Sequence, residues 1–588
     1  MRKIEQLQRL VAQSGLQAYI VPTSDYHQSE YIAEHFKLRQ YATGFTGSAG
    51  TLVVTPRDAR LWVDGRYYLQ AENEVPQNVK VMRSGQAGVP TIMEYLKNVV
   101  SSTGKYGFDG RLISAADYIN YKKKVGENID TNVDLIGRMW QERPQLPFSM
   151  IYSLDDFLVG EKASEKINRL RSVMKESRAQ VHILTSLEDQ AWLFNLRGSD
   201  ISYTPVFLSY TIITMSEIYL FVNKAKLNDH VKKLLDDLKV NVFEYDDIYD
   251  FIRSLSGYSI MLDPNRLNSR IYQTLVEKNK ILHKQNPTIL MKAIKNPTEI
   301  KHTKQAHVLD GVAFTKLMYY LKSRAGAEEM TEISVQTRLE KLRRKNENLI
   351  DLSFSTICAY KANAAMMHYN ASSLSNQLIK DEGLLLIDSG GHYLEGTTDI
   401  TRTVSMGKPT LDEKNYFTTV LKSMISLTDT IFLKGCTGQN LDIKARDYIW
   451  KKLIDYKCGT GHGVGHILSV HEGPQSFRWN GAPDKNAASL EPGMIITNEP
   501  GIYLEGELGI RIENELLVVP HTENKWGTFY TFETITYAPI DLDLVDKQML
   551  TTDELHWLNT YHDMVYKKIS PYLNEDEEKW LRYYTRKI

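Results

Sequence analysis

Two aspartates, a histidine and two glutamates follow one another beside glycine turns late in the chain, and side chains of these kinds meeting in one place would hold metal ions. Asp388 ends the run Leu385-Leu386-Ile387-Asp388, and Asp399 begins Asp399-Ile400-Thr401-Arg402-Thr403 eleven residues on, with Gly390, Gly391 and Gly396 between them. Each adjoins a β-type run, so a hairpin would bring both carboxylates together. Two carboxylates at close range repel unless protons or cations intervene. Taken alone, the pair also fits two unrelated turn aspartates, because Asp-Ser-Gly is an ordinary turn sequence.

The second element is Cys458-Gly459-Thr460-Gly461-His462-Gly463-Val464-Gly465-His466, whose glycines allow close backbone approach and leave the His462 imidazole accessible. It has the glycine density of a phosphate loop, but no Lys-Ser/Thr completes one, which argues against nucleotide binding. A lone histidine is more often structural than a ligand. The third element places acids at strand ends: Glu499 in Thr497-Asn498-Glu499-Pro500-Gly501, and Glu513 in Gly509-Ile510-Arg511-Ile512-Glu513. Strand alternation puts Arg511 and Glu513 on one face, a pattern that a surface salt-bridge stripe would share. The combination changes the balance. Asp388, Asp399, Glu499 and Glu513 carry about four negative charges, which two divalent cations would balance and which burial would otherwise make prohibitive. An oxygen-rich set with one imidazole and no thiolate suits manganese first, with zinc, cobalt or iron as alternatives.

The elements that must position these residues begin near position 300. Asn296-Pro297-Thr298-Glu299 is a helix start, with Asn as cap, Pro at the first helical position and Glu reaching back. A long helix should follow, with Ala306, Leu309, Ala313, Leu317 and Leu321 on its inner face. After about 350 the pattern becomes short strands separated by glycine turns: Leu384 to Asp388, Asp399 to Val404, Met494 to Glu499 and Gly509 to Val519. Leu555, Leu558, Tyr561, His562, Val565 and Ile569 predict a last helix, used in packing or at a subunit contact. Upstream, strand, helix and strand signals from Ala18 to Ala71 are echoed from Val181 to Val222, which suggests two related α/β domains in tandem. Arg143-Pro144-Gln145-Leu146-Pro147 marks the break between them. The expected organisation is an α/β (α+β) chain with domains at 1–150, 151–300 and 301–588, the last carrying a helical extension from about 545.

Composition narrows the function classes. With 71 basic and 72 acidic side chains in 588 residues, the chain lacks the field that nucleic-acid or membrane-surface binding requires. The basic run Lys341 to Lys345 reads as a solvated helix face. Three cysteines, Cys358, Cys436 and Cys458, form no disulfide framework or zinc knuckle and fit a reducing, cytoplasmic compartment. Met1 to Gln13 is amphipathic rather than a signal peptide, and no apolar run approaches a membrane span.

The ordered set Asp388, Asp399, His462, Glu499, Glu513 resembles the metal signature of the creatinase/methionine aminopeptidase superfamily, which has the pita-bread fold. Within it the chain is most similar to the long, three-domain aminopeptidase P (Xaa-Pro aminopeptidase) family. The resemblance extends to Tyr19-Ile20-Val21-Pro22-Thr23-Ser24-Asp25, Gly44-Phe45-Thr46-Gly47-Ser48-Ala49-Gly50, Asp64-Gly65-Arg66-Tyr67-Tyr68 and Trp557-Leu558-Asn559-Thr560-Tyr561-His562. It implies that Asp388 binds one metal, that Asp399 and Glu513 bridge both, and that His462 and Glu499 complete the other shell. It makes His368 and His471 the substrate-side, catalytic histidines, and Arg511 a substrate-side group that holds a carboxylate in place. One position departs from the pattern, with Cys458 where the family usually has histidine; it could contact substrate, alter metal preference or slow the enzyme.

The resemblance further implies a homodimer that cleaves the bond between an N-terminal residue and a following proline. A metal-bridging hydroxide would attack, with Glu499 moving the proton. Proline preference rests on the resemblance alone. The enzymatic alternative is a prolidase, restricted to Xaa-Pro dipeptides. Methionine aminopeptidase lacks the front domains, and creatinase works without metals. A catalytically impaired peptide- or protein-binding module is the alternative from another class, and it would be expected to have lost ligands that this chain keeps.

Overall fold

The computed structural model describes residues 2–456, 458–479 and 487–588. The chain packs as two compact units: Met1–Asp155 with Glu161–Ile289, and Asp156–Gly160 with Leu290–Ile588.

The first unit holds two six-stranded sheets. In the first, Ala18–Pro22 pairs antiparallel with Thr51–Val54, which pairs antiparallel with Ala59–Val63, while Lys80–Arg83, Tyr106–Gly107 and Ile129–Asp130 add parallel strands at the two sides. The second sheet has the same order and strand sense, from Val181–Leu184, Ser209–Thr214 and Ile218–Val222 to Val240–Phe243, Ser259–Leu262 and Lys280–His283. The echo in the sequence is therefore a repeated topology. Buried hydrogen bonds join the two halves: His27 Nδ1 lies 2.9 Å from the Thr185 carbonyl and Nε2 lies 2.6 Å from Tyr245 Oη.

The second unit opens with the helix Pro297–Arg324, capped by Asn296, whose side chain accepts from the Thr298 and Glu299 N–H groups while Glu299 reaches back. Its inner face is more polar than the apolar spacing predicts. Leu309 is only half buried, whereas Thr303, His307 and Asp310 are buried. The basic run also needs correction: Arg343 is fully buried and forks onto Asp310 at 2.7 and 3.0 Å, so it is a core ion pair within an otherwise more exposed run.

Two small sheets carry the polar centre. In one, Leu384–Ser389 lies between Ile357–Tyr360 and Ile400–Ser405. In the other, Asn514–Asn524 lies between Ile495–Asn498 and Gly527–Thr534. The continuous strand expected from Gly509 to Val519 is broken at Ile512-Glu513, because the chain leaves its pairing with Gly501–Leu504 and joins Ile495–Asn498. Buried Arg402 ties the sheets and the C-terminal helix together, donating to the carbonyls of Glu513, Ala538 and Pro539, to Asn514 Oδ1 and to Tyr561 Oη. The helix expected to be the last, Thr552–Ile569, buries Leu558, Tyr561, His562, Val565 and Ile569 within this unit, alongside the helix Leu411–Thr428, and a further helix, Glu575–Tyr584, follows it. Among the described residues no helix is long and apolar enough to cross a membrane.

Candidate metal centre

Strand register brings the two aspartates together. Asp388 stands opposite Thr401 in an antiparallel pair, and Asp399 precedes Thr401 by two residues, so all three share one face. Thr401 is the hub that the acid-and-histidine pattern does not reveal. Its hydroxyl donates to Glu513 Oε2 at 2.6 Å and accepts from Arg511 Nε at 3.1 Å. Glu513 follows the strand Leu508–Arg511 rather than lying in it, yet it meets Arg511 on this shared hydroxyl. Arg511 also donates to Asp388 Oδ2 at 2.5 Å and to Tyr503 Oη at 2.8 Å.

His462 enters from the short strand Gly461–His462. Gly461 is required there, because a Cβ would overlap the Thr497 carbonyl. The His462 N–H donates to Thr497 Oγ1 at 3.0 Å, and its Nε2 lies 3.4 Å from Asp399 Oδ2 and 3.5 Å from Glu499 Oε1. Glu499 is fixed by its own N–H on the Thr460 carbonyl at 2.8 Å and by Thr497 Oγ1 at 3.2 Å. Asp399, His462 and Glu513 each bring a ligand atom within 4.8 Å of the others.

The electrostatics match a cation site. Asp388 Oδ1, Asp399 Oδ1 and Glu513 Oε1 are buried oxygens without a hydrogen-bond partner among the described residues. Burial pushes the Asp399 carboxyl far above its ordinary range, and Asp388, Glu499 and Glu515 push it further. The Glu513 carboxyl is raised by burial and then by Asp399, Glu499 and Asp388. Burial opposes the charge on Arg511, but Tyr503, Asp388, Glu499 and Glu513 outweigh it and hold the guanidinium charged. Orphaned buried carboxylate oxygens, with the Asp399 and Glu513 carboxyls driven toward their protonated form for want of a counter-charge, are what divalent ions would satisfy, displacing those protons.

The other predicted residues lie as follows. His368 is exposed, on a turn after the short helix Lys361–Ala365, where Gly509 leaves room for the Ala364 carbonyl. His471 is half buried with its ring edge-on to His462, centroids 4.3 Å apart. The Cys458 thiol is pushed up to about 12 by burial and then by the Glu499 charge, so it is a neutral S–H at physiological pH.

Several supports escaped the sequence reading. Arg446 pairs with Asp442 and donates to the carbonyls of Tyr456 and Cys458 at 2.7 and 2.6 Å, while Asp442 accepts from Thr460. Glu472, beside His471, is clamped by Lys292 at 3.2 Å and by Lys295, all three buried. The i, i+4 spacing of Asp442 and Arg446 is the signal that could have found one of them.

This architecture is shared with known proteins. Residues 301–520 match metallopeptidase family M24, residues 3–143 and 142–299 each match a creatinase/prolidase N-terminal domain, and residues 528–588 match the C-terminal region of the M24 peptidases. Xaa-Pro aminopeptidase 1 of Dictyostelium discoideum is 38% identical over 99% of this chain and 95% of its own. The crystal structure of X-prolyl aminopeptidase from Caenorhabditis elegans, described as a cytosolic enzyme with a di-nuclear active site, is 32% identical with a TM-score of 0.93, covering 100% of this chain and 99% of that one. Xaa-Pro dipeptidase from Bacillus anthracis is 25% identical with a TM-score of 0.51, covering 65% of this chain and 99% of that one. The chain belongs to the Xaa-Pro aminopeptidase (aminopeptidase P) family of M24 metallopeptidases.

Proposed function

We propose that the chain removes the N-terminal residue from peptides whose second residue is proline. The observation that carries this reading is the set of orphaned carboxylate oxygens on Asp388, Asp399 and Glu513, the last two residues meeting His462, in a chain that matches an X-prolyl aminopeptidase from end to end. Two divalent ions would be held there, one by Asp388, the other by His462 and Glu499, with Asp399 and Glu513 shared between them. Ions so bound make a water nucleophilic near neutral pH and polarise the scissile carbonyl. Manganese is the preferred ion for this donor set.

The chain's own residues do the rest. Arg511 holds Asp388 in orientation and offsets part of the negative charge. Thr401 sets Glu513, and Thr497 with the Thr460 carbonyl sets Glu499. Glu499 takes the proton of the attacking water and delivers it to the proline nitrogen as the bond breaks. His471, against the His462 ring, and His368, on its exposed turn, donate to the substrate carbonyl and backbone.

Domain boundaries near 150 and 300 belong to this reading, and the change of family match at 143 and 299 supports them. So do a cytoplasmic location, supported by three free cysteines and the cytosolic description of the C. elegans enzyme, and a homodimer. A prolidase is the weaker reading, since the dipeptidase structure accounts for 65% of this chain.

Incubation with a peptide beginning Arg-Pro-Pro and, separately, with an Xaa-Pro dipeptide tests the proposal. Release of arginine from the longer peptide is expected. Cleavage of the dipeptide alone would replace the reading with prolidase.

A further inference from the structure

The helix Pro297–Arg324 turns Thr303, His307 and Asp310 inward, four and three residues apart and therefore on one face. Buried polar side chains require partners, and each of these reaches a different segment of the candidate centre. Thr303 Oγ1 lies 3.2 Å from His466 Nδ1, on the loop after His462. Asp310 holds Arg343, which donates onward at 3.0 Å to Ser389 Oγ, next to Asp388. His307 Nε2 lies 3.1 Å from Glu515 Oε2, an ion-pair contact by distance, and neither atom has a hydrogen-bond partner among the described residues. The other oxygen of Glu515, Oε1, accepts the backbone N–H of Asp399 at 2.7 Å.

We propose that His307 and Glu515 form a positioning pair for the metal centre: Glu515 fixes the backbone from which Asp399 projects, and His307, anchored in the long helix, fixes the Glu515 carboxylate. The geometry is a stitch at both ends of a short stretch. Residues 513–515 run beside 399–401, with the Glu513 N–H on the Thr401 carbonyl at 3.1 Å at one end and Glu515 Oε1 on the Asp399 N–H at the other. The Glu515 backbone is itself held, its N–H on Thr536 Oγ1 at 2.8 Å and its carbonyl accepting from Ile535 at 3.0 Å. The two carboxylates assigned to bridge the ions, Asp399 and Glu513, are thereby set relative to one another. A fully buried glutamate beside other carboxylates is an expensive way to fill space, since an apolar residue would fill it without adding negative charge. The cost is understandable if its two oxygens are needed in two directions, one for the Asp399 backbone and one for the helix.

The proposal rests on Asp399 being a metal ligand, and the experiment separates the two claims. Mn(II) binding to metal-stripped protein is measured by calorimetry for wild type, Glu515→Ala, Glu515→Gln, His307→Ala, the His307→Ala/Glu515→Ala double variant and Asp399→Asn, with kcat and KM on an Arg-Pro-Pro peptide. Glu515→Ala is expected to weaken Mn(II) binding by roughly 10- to 100-fold and to lower kcat with little change in KM. Glu515→Gln should recover most of the loss, because its amide oxygen still accepts the Asp399 N–H. His307→Ala should weaken binding less, and add little once Glu515 is alanine. Wild-type Mn(II) affinity in Glu515→Ala, or losses from the two single variants that simply add, would overturn the pair. If Glu515→Ala fails to fold, wild-type affinity in His307→Ala overturns it alone. Undiminished binding in Asp399→Asn would instead remove the metal-centre reading itself.

Discussion

Arg511 places its guanidinium fork on three partners, Asp388, Thr401 and Tyr503, and no other cation has that shape. Arg511→Lys keeps the charge but supplies a single point of donation, so kcat/KM should fall by about 10- to 100-fold through misplacement of Asp388. Steady-state kinetics with metal analysis checks this, and an unaltered kcat/KM would deny Arg511 its orienting role. Glu499→Gln makes a separate claim. Loss of the proton carrier should lower kcat by about 10²- to 10⁴-fold while KM stays within a few-fold. Unchanged turnover at full metal content would sink the assignment. At this scale the acids and His462 were legible because types, order and neighbouring glycines all pointed to one chemistry. Thr401, Thr497 and Tyr503 were not, because a hydroxyl in a β-type run carries no sign of which acid it will orient until register is known. Cys458 is the converse case: the sequence flagged the position, and only burial reveals a thiol that stays protonated.

The elements that deliver these side chains depend on close approaches and on buried charge. Lys292 and Lys295 stand just ahead of the long helix and clamp Glu472, on the loop that carries His471. Glu472→Ala leaves two buried ammonium groups without that carboxylate and should destabilise its unit by about 3–5 kcal/mol. Denaturant unfolding measures this, and a wild-type midpoint would show that the clamp contributes nothing. The long helix was readable from its Asn-Pro-Thr-Glu start, but its inner face was read as wholly apolar. Spacing identifies which residues face inward without saying that Thr303, His307 and Asp310 will find partners there. Arg343 was misread for the same reason, since a basic run looks solvated until Asp310 is placed against it. The break at Ile512-Glu513 was hidden because no Gly or Pro marks it and the alternation of apolar and polar residues runs through it while the pairing partner changes.

At the scale of the whole molecule, the front sheets were legible as an echo because strand and helix signals recur in the same order, although the shared six-strand topology appears only in the fold. Both compact units also carry buried neutral histidines. Burial lowers His27 and His562 from the ordinary 6.5 to about 3, and His182 to about 4. A group with a depressed folded pKa takes up its proton first in the unfolded chain, so stability is full above about pH 6.5 and declines below it. Each such histidine contributes a loss of about 1.4 kcal/mol per pH unit until its folded pKa is reached. His562 accepts the Ile540 N–H at 3.1 Å, a bond that a glutamine oxygen can replace. His562→Gln should therefore flatten the stability profile of its unit between pH 6 and 4 by that amount, as read from denaturant midpoints, and an unchanged slope would contradict the neutral assignment. The central claim, that the acid cluster around His462 is a two-ion centre cleaving before proline, is tested most directly by stripping the protein of metal and titrating Mn(II) while following arginine release from a peptide beginning Arg-Pro-Pro. The account predicts negligible release from the stripped protein and a rise that levels off at two equivalents per chain. Full activity without metal, or no release with two ions demonstrably bound, would contradict it.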